Sequence, residues 1–296
     1  MKRIVLFLLT NVAVLLCLVV AANVVCALFG IDLSREVSDN RDFYVQILVM
    51  ALVFGMAGSI ISLLMSKPMA KMSVRAQTIK GTEGEAEAWL VRTVEDLAQR
   101  AGLKTPEVAI YHGPANAFAT GAFRNSALVA VSDGIMSQMT REELRAVLGH
   151  EMSHVANGDM VTMCLLQGIL NTFVIFVSRV AAGMMSQRGR GDSRRGGGGL
   201  YLLVYYVCQF ALSILASIIA MWFSRHREYA ADAGSAKLLG TPGPMIAALR
   251  RLGNLQPGVL PDSLKAFGIS GKKSSLFATH PSLEDRIEAL QKLTMF

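Results

Sequence analysis

The sequence predicts an α+β protein: a mixed helix–strand domain carried by four hydrophobic helices of transmembrane length. Three observations lead there. The 296 residues are 52% hydrophobic and 17% charged, with a mean hydropathy of +0.42, whereas a water-soluble domain averages about 25% charged residues. The apolar residues are concentrated at 4–29, 44–65, 160–185 and 200–223, and each run meets the roughly 20 residues needed to cross a hydrocarbon core. The remaining stretches switch between helical and strand-like periodicity. An ordinary cytosolic enzyme, a disordered chain and a fibrous protein are thereby excluded. Roughly 170 residues remain for water, enough for one compact domain with its own core.

The first apolar run follows Lys2 and Arg3, as a secretion signal would. It is longer than the usual h-region and leads into further apolar sequence, so it reads as an uncleaved anchor. An acidic loop at 31–43 and a basic stretch at 66–80 (Lys67, Lys71, Arg75, Lys80) follow the first two runs. Positive charge marks the cytoplasmic side, which places the amino terminus and residues 66–159 inside. The net charge of +7 then reflects membrane topology, not nucleic-acid binding. Cys17, Cys26, Cys164 and Cys208 all lie within the apolar runs and read as small core residues.

Residues 82–102 predict an amphipathic helix striped by Ala86, Leu90, Val94 and Leu97 and closed by Gly102. Short strands are expected at 108–111, 116–120 and 127–132, the last two joined through Arg124–Ser126. Thr140 with Glu143 forms a capping box that opens a helix from 141 to about 157. A Gly- and Arg-rich linker separates the third and fourth apolar runs. Its four arginines fall on the outer side of the inferred topology, against the charge rule, which leaves open whether residues 160–223 span fully. The chain divides into a transmembrane hairpin (1–65), the first part of a cytosolic domain (66–159), a second hydrophobic hairpin (160–223) and the second part of that domain (224–296).

His150-Glu151-Met152-Ser153-His154 is an HExxH motif on the capped helix. Positions i and i+4 share a helix face, so both imidazoles reach one metal ion, with Glu151 placed to take a proton from an attacking water. A catalytic zinc site needs a third protein ligand and an open position for water. The spacing that would put a Gly at 157 and a His at 160 is absent, since these are Asn157 and Met160. Counting helix rise along the second hairpin brings Glu228 to the height of His154. Asp232, one turn on, can hold a ligand histidine by a hydrogen bond. His226 is the rival third ligand, about 200° around the helix from Glu228, and the two cannot both face the metal.

NAFATG at 116–121, GHEMSHVANGD at 149–159, SRHREYAADAGSA at 224–236 and ATHPSLEDRI at 278–287 resemble, over the whole chain, the HtpX-like membrane zinc metalloproteases of peptidase family M48. The resemblance implies a zincin-type fold, one Zn2+ per chain held by His150, His154 and Glu228, and Glu151 as the catalytic carboxylate. It also implies a bacterial inner-membrane location, an active site facing the cytoplasm, and degradation of damaged membrane proteins under stress. His226 departs from the pattern, which has arginine there.

Other residues are expected to serve the same chemistry. The strand Asn116, Ala117, Phe118, Ala119 reads either as an edge that pairs with an extended substrate or as a half-buried hairpin. His280 and Arg286 head an amphipathic helix striped by Leu283, Ile287, Leu290 and Leu293. They are candidates for stabilising the negative charge on a peptide carbonyl oxygen. Arg286 otherwise pairs with Asp232 or another acid, since an unpaired charge among apolar positions is costly. The partners expected are the bilayer and polypeptide or membrane-protein substrates; the sequence sets no oligomeric state. Two other readings compete: a narrow-specificity protease of lipidated peptides, and a non-catalytic zinc-binding membrane scaffold. Transport is disfavoured because only Arg179 lies deep in an apolar run.

The charge distribution makes a direct prediction. A reporter fused after residue 75 reads cytoplasmic and one at residue 37 reads periplasmic. Reversed signals would move the active site to the other compartment.

Overall fold

The computed structural model describes residues 41–188, 197–254 and 280–293. The expected anchor at 4–29, most of the acidic loop, the centre of the Gly–Arg linker and Ala278-Thr279 lie outside those residues. The chain divides into two compact units. One comprises Met1–Ile61 with Cys164–Ala220, the other Ser62–Met163 with Met221–Phe296.

Three helices among the described residues are long and apolar enough to cross a membrane. They are α1 (Arg41–Val74), α5 (Asp159–Arg188) and α6 (Gly197–Leu239). On α1 and α6 many apolar side chains are turned outwards: Phe54 is 66% and Phe210 71% exposed. In water such a surface would be severely unfavourable, and in lipid it is the expected one. Inside the apolar unit α1 and α5 approach closely. A Cβ at Gly55 would lie 2.5 Å from the Thr172 backbone nitrogen, so only glycine permits this approach.

The second unit is α+β. Its strands are β1 (Gln77–Thr78), β2 (Glu107–Tyr111), β3 (Ala117–Thr120) and β4 (Leu128–Ser132), in the order β1-β2-β4-β3. β2 and β4 run parallel, from Glu107↔Leu128 to Tyr111↔Ser132, and β3 returns antiparallel to β4 as the expected hairpin. β4 is buried on both faces. Val129 and Val131 enter the main core, while Leu128 and Ala130 enter a smaller cluster with Tyr111, Phe118 and Ala70. Against the main core pack α2 (Glu85–Ala101), through Leu90, Val94 and Leu97, and α4 (Arg141–Asn157), through Val147, Leu148 and Met152. Ala86, expected on the buried stripe, lies exposed in the first turn of α2. α3 (Asp133–Gln138), α7 (Gly243–Asn254) and α8 (Leu283–Gln291) complete the unit.

α4 begins at the capping box read from the sequence. Thr140 accepts from the Glu143 amide, and the Glu143 carboxylate accepts from the Thr140 amide. The helix ends at Gly158, whose φ of 72° is the left-handed conformation that glycine adopts without strain. This break separates α4 from α5 and brings the Asp159 side chain beside His154. Small residues bring α4 against α6. A Cβ on Gly234 would lie 2.7 Å from Ser153 Cβ, one on Gly149 would lie 2.9 Å from Ser235 Oγ, and Ser235 Oγ donates to the Ala146 carbonyl at 2.7 Å.

Beside the sheet, Glu107 receives Lys67 at 2.8 Å, Thr78 at 2.6 Å and also Lys71. Burial alone would raise its pKa, but the two ammonium groups and the hydroxyl hold it at about 2. Its depressed folded-state value contributes stability above the ordinary carboxylate range, and this is lost as the pH falls towards 2.

The α4–α6 contact makes Gly234→Ala a sharp test. Alanine favours helix by up to about 1 kcal/mol over glycine, so an indifferent site would be stabilised. Here the added methyl meets a fixed Cβ. Overpacking is expected to cost about 1–3 kcal/mol and lower the melting temperature; a rise would show that the helices do not touch there.

Candidate metal centre

The site is assembled from α4, α6, the first residue of α5 and the start of α8, all in the α+β unit. His150 and His154 lie one turn apart on α4 with their rings edge-on, centroids 4.7 Å apart. Their Nε2 atoms are 3.1 Å from each other. Glu228, on α6, brings Oε2 to 3.5 Å from His150 Nε2 and Oε1 to 3.3 Å from His154 Nε2. Ligand atoms of the three residues all lie within 4.8 Å of one another, and all three side chains are buried.

The outer nitrogens are held by carboxylates. His150 Nδ1 lies 2.8 Å from Asp232 Oδ1, and His154 Nδ1 lies 2.6 Å from Asp159 Oδ2. An ionised carboxylate only accepts, so each Nδ1 is the donor. In the neutral imidazoles this leaves both Nε2 lone pairs directed at the same point as the Glu228 oxygens. Two lone pairs 3.1 Å apart repel unless a proton or a metal cation lies between them. A four-coordinate ion with bonds of about 2.0–2.1 Å spaces its ligand atoms by about 3.3 Å, close to the separations found. The donor set therefore fits a divalent metal.

The electrostatics agree. Burial works against charged imidazoles, yet Asp232 and Glu228 raise His150, and Asp159 and Glu228 raise His154 to about 10. Burial also opposes ionisation of Glu228, but His280 and the two ligand histidines hold it well below the usual carboxylate range. The pocket favours positive charge at its centre, and a divalent cation there displaces protons.

Arg286 has no exposed surface. It grips Asp232 with two hydrogen bonds, Nε to Oδ2 at 2.8 Å and Nη2 to Oδ1 at 2.7 Å, and places Nη1 3.5 Å from Glu228 Oε2. His280 Nδ1 lies 2.7 Å from Glu228 Oε2, without the alignment of a hydrogen bond. Glu151 is buried beside the histidines, and burial raises its pKa. Its Oε2 accepts a 2.7 Å hydrogen bond from the Ala119 amide. β3 has β4 as its one strand partner among the described residues, so this bond joins the HExxH helix to an edge strand. The side chains of Asn116, Ala117, Phe118 and Ala119 are all buried, and the strand does not alternate between core and solvent.

Of the sequence-derived candidates, His150, His154, Glu228, Asp232, Glu151, His280 and Arg286 thus converge, and Ala119 joins them through its backbone. His226 does not. It is exposed and packs on the Trp222 ring at 5.0 Å between centroids. Sequence reasoning missed Asp159, although a Gly-Asp pair directly after a metal-binding helix is the signal of a turn that folds a carboxylate back.

The profile of peptidase family M48 matches residues 85–294. A protease HtpX homologue of Janthinobacterium sp. (strain Marseille) is 52% identical over 99% of this chain and its own full length. Another, from Bordetella pertussis, is 53% identical over 98% of each chain. The crystal structure of S. mikatae Ste24p is similar in fold, with a TM-score of 0.59 at 19% identity, covering 98% of this chain and 75% of that one. The chain belongs to peptidase family M48 and is an HtpX-like membrane metalloprotease.

Proposed function

We propose that this protein is a zinc-dependent endopeptidase of the bacterial inner membrane, with its active site at the cytosolic face, where it cleaves misfolded or damaged membrane proteins under stress. The observation that carries the reading is the convergence of His150 Nε2, His154 Nε2 and the Glu228 carboxylate beside a buried Glu151. Two imidazoles and one carboxylate are a donor set used by catalytic zinc, and the fourth position is left for water. When bound, zinc supplies Lewis acidity that acidifies water and polarises a carbonyl.

The protein's own groups do the rest. Glu151 takes a proton from the attacking water and passes it to the leaving amine. Its raised pKa brings it nearer the range in which a group both accepts and returns a proton. The Ala119 amide fixes the direction of its carboxylate. The backbone of β3 is the surface on which an extended peptide pairs, since its side chains are committed to the core. Asp232 holds His150, and Arg286 acts through Asp232 by keeping that carboxylate ionised and oriented. His280, beside Glu228, is the side chain assigned to the charge that develops on the carbonyl oxygen. The basic residues at 66–80 support the cytosolic placement.

The test is a cleavage assay on the purified full-length protein in detergent, with zinc counted by elemental analysis. Glu151→Gln keeps its zinc and loses cleavage, by at least about 100-fold for removal of a general base. Glu228→Ala loses both zinc and cleavage. His226→Ala stays near wild type in both. Undiminished cleavage by Glu151→Gln would reject the mechanism, and an emptied site in His226→Ala would reject the ligand assignment.

A further inference from the structure

We infer that Asp159 is a positioning residue of the metal centre: its carboxylate fixes the ring of His154 and commits that histidine to binding through Nε2. The inference rests on the zinc-site reading above and extends it to a residue outside the HExxH motif.

The geometry is direct. Asp159 Oδ2 lies 2.6 Å from His154 Nδ1, and both side chains are more than nine-tenths buried. An imidazole on a helix can rotate about two side-chain bonds. The bond from Nδ1–H to a fixed acceptor removes that freedom and selects the tautomer with its lone pair on Nε2. Asp159 is itself fixed on both sides. It begins α5 immediately after Gly158, whose left-handed turn ends α4 and whose N–H donates hydrogen bonds to the His154 and Val155 carbonyls. From α6, Arg227 Nη1 donates to the Asp159 carbonyl at 2.7 Å. Arg227 directly precedes Glu228, so the residue that orients one ligand is tied to the neighbour of another. The centre thus has two supporting carboxylates, Asp232 behind His150 and Asp159 behind His154, supplied by different helices.

A purely structural role is the rival account, because an acid in the first turn of α5 also favours helix formation. Zinc affinity separates the two. The full-length protein is stripped of metal, and zinc is competed against a chromophoric chelator of known strength. Asp159→Ala is expected to bind zinc about 10–100-fold more weakly, the usual loss for a carboxylate supporting a histidine ligand. Asp159→Asn keeps the shape and an acceptor oxygen and is expected to recover part of that loss. The cobalt-substituted Asp159→Asn protein is expected to show a shifted visible absorption band, because His154 becomes a poorer donor. Wild-type zinc affinity in both variants would overturn the inference. So would a lower melting temperature of the metal-stripped variants with no change in affinity or cobalt spectrum, which assigns Asp159 to the start of α5 alone. Asp159→Asn keeps the test decisive if Asp159→Ala does not fold. Glu228→Ala is measured alongside. If it binds zinc as the wild type does, the reading of the metal centre itself fails. If it loses zinc and the Asp159 variants do not, only the role of Asp159 fails.

Discussion

The site depends on one buried charge. Arg286 has no exposed surface, and a guanidinium does not give up its proton in a protein. An acid must therefore lie against it, ionised, or the positive charge would sit uncompensated in a low-dielectric interior. Asp232 fills that role with both oxygens. Once Asp232 is ionised it can only accept, which fixes the proton of His150 on Nδ1 and leaves Nε2 for a metal. The orientation of His150 on α4 is thus set by a cation on α8 through an anion on α6. Neither the guanidinium of α8 nor the carboxylate of α6 could be buried without the other.

Much of this was legible in the sequence, because periodicity carries it. The boundaries of α4, its capping box, the HExxH face and the i+4 relation of Glu228 and Asp232 all follow from 3.6 residues per turn. So does the rule that Glu228 and His226 cannot share a face; in the structure Glu228 meets the histidines, and His226 rests on Trp222. What escaped depends on tertiary placement. β1 has two residues and no pattern of its own. β3 reads as alternating, yet it is buried at every position, because the second core cluster covers the face that would otherwise meet solvent. Asp159 escaped because a helical wheel continued past residue 157 gives the wrong direction; the break at Gly158 reverses it.

The meeting of α4 and α6 is a packing problem solved by small side chains. Glu228 and Asp232 reach the histidines only if the two helices approach closely, and Gly149, Ser153, Gly234 and Ser235 provide that approach. Bulk there would separate the carboxylates from the imidazoles before it touched any of them. The residues that set the ligand spacing therefore carry no chemistry and bear no functional group aimed at the centre.

The α+β unit is built from two stretches of chain, Ser62–Met163 and Met221–Phe296, with the apolar segment Cys164–Ala220 between them. During synthesis the HExxH helix emerges long before Glu228, and Arg286 comes later still. Chains are made at about 5–20 residues per second and tend to fold from the N-terminal side. For several seconds the nascent protein carries His150, Glu151 and His154 with neither Glu228 opposite them nor Arg286 to hold Asp232. The cluster of His150, His154 and Glu228 cannot close until the intervening apolar segment has been made. A metalloprotease made in this order completes that cluster only once most of its chain exists.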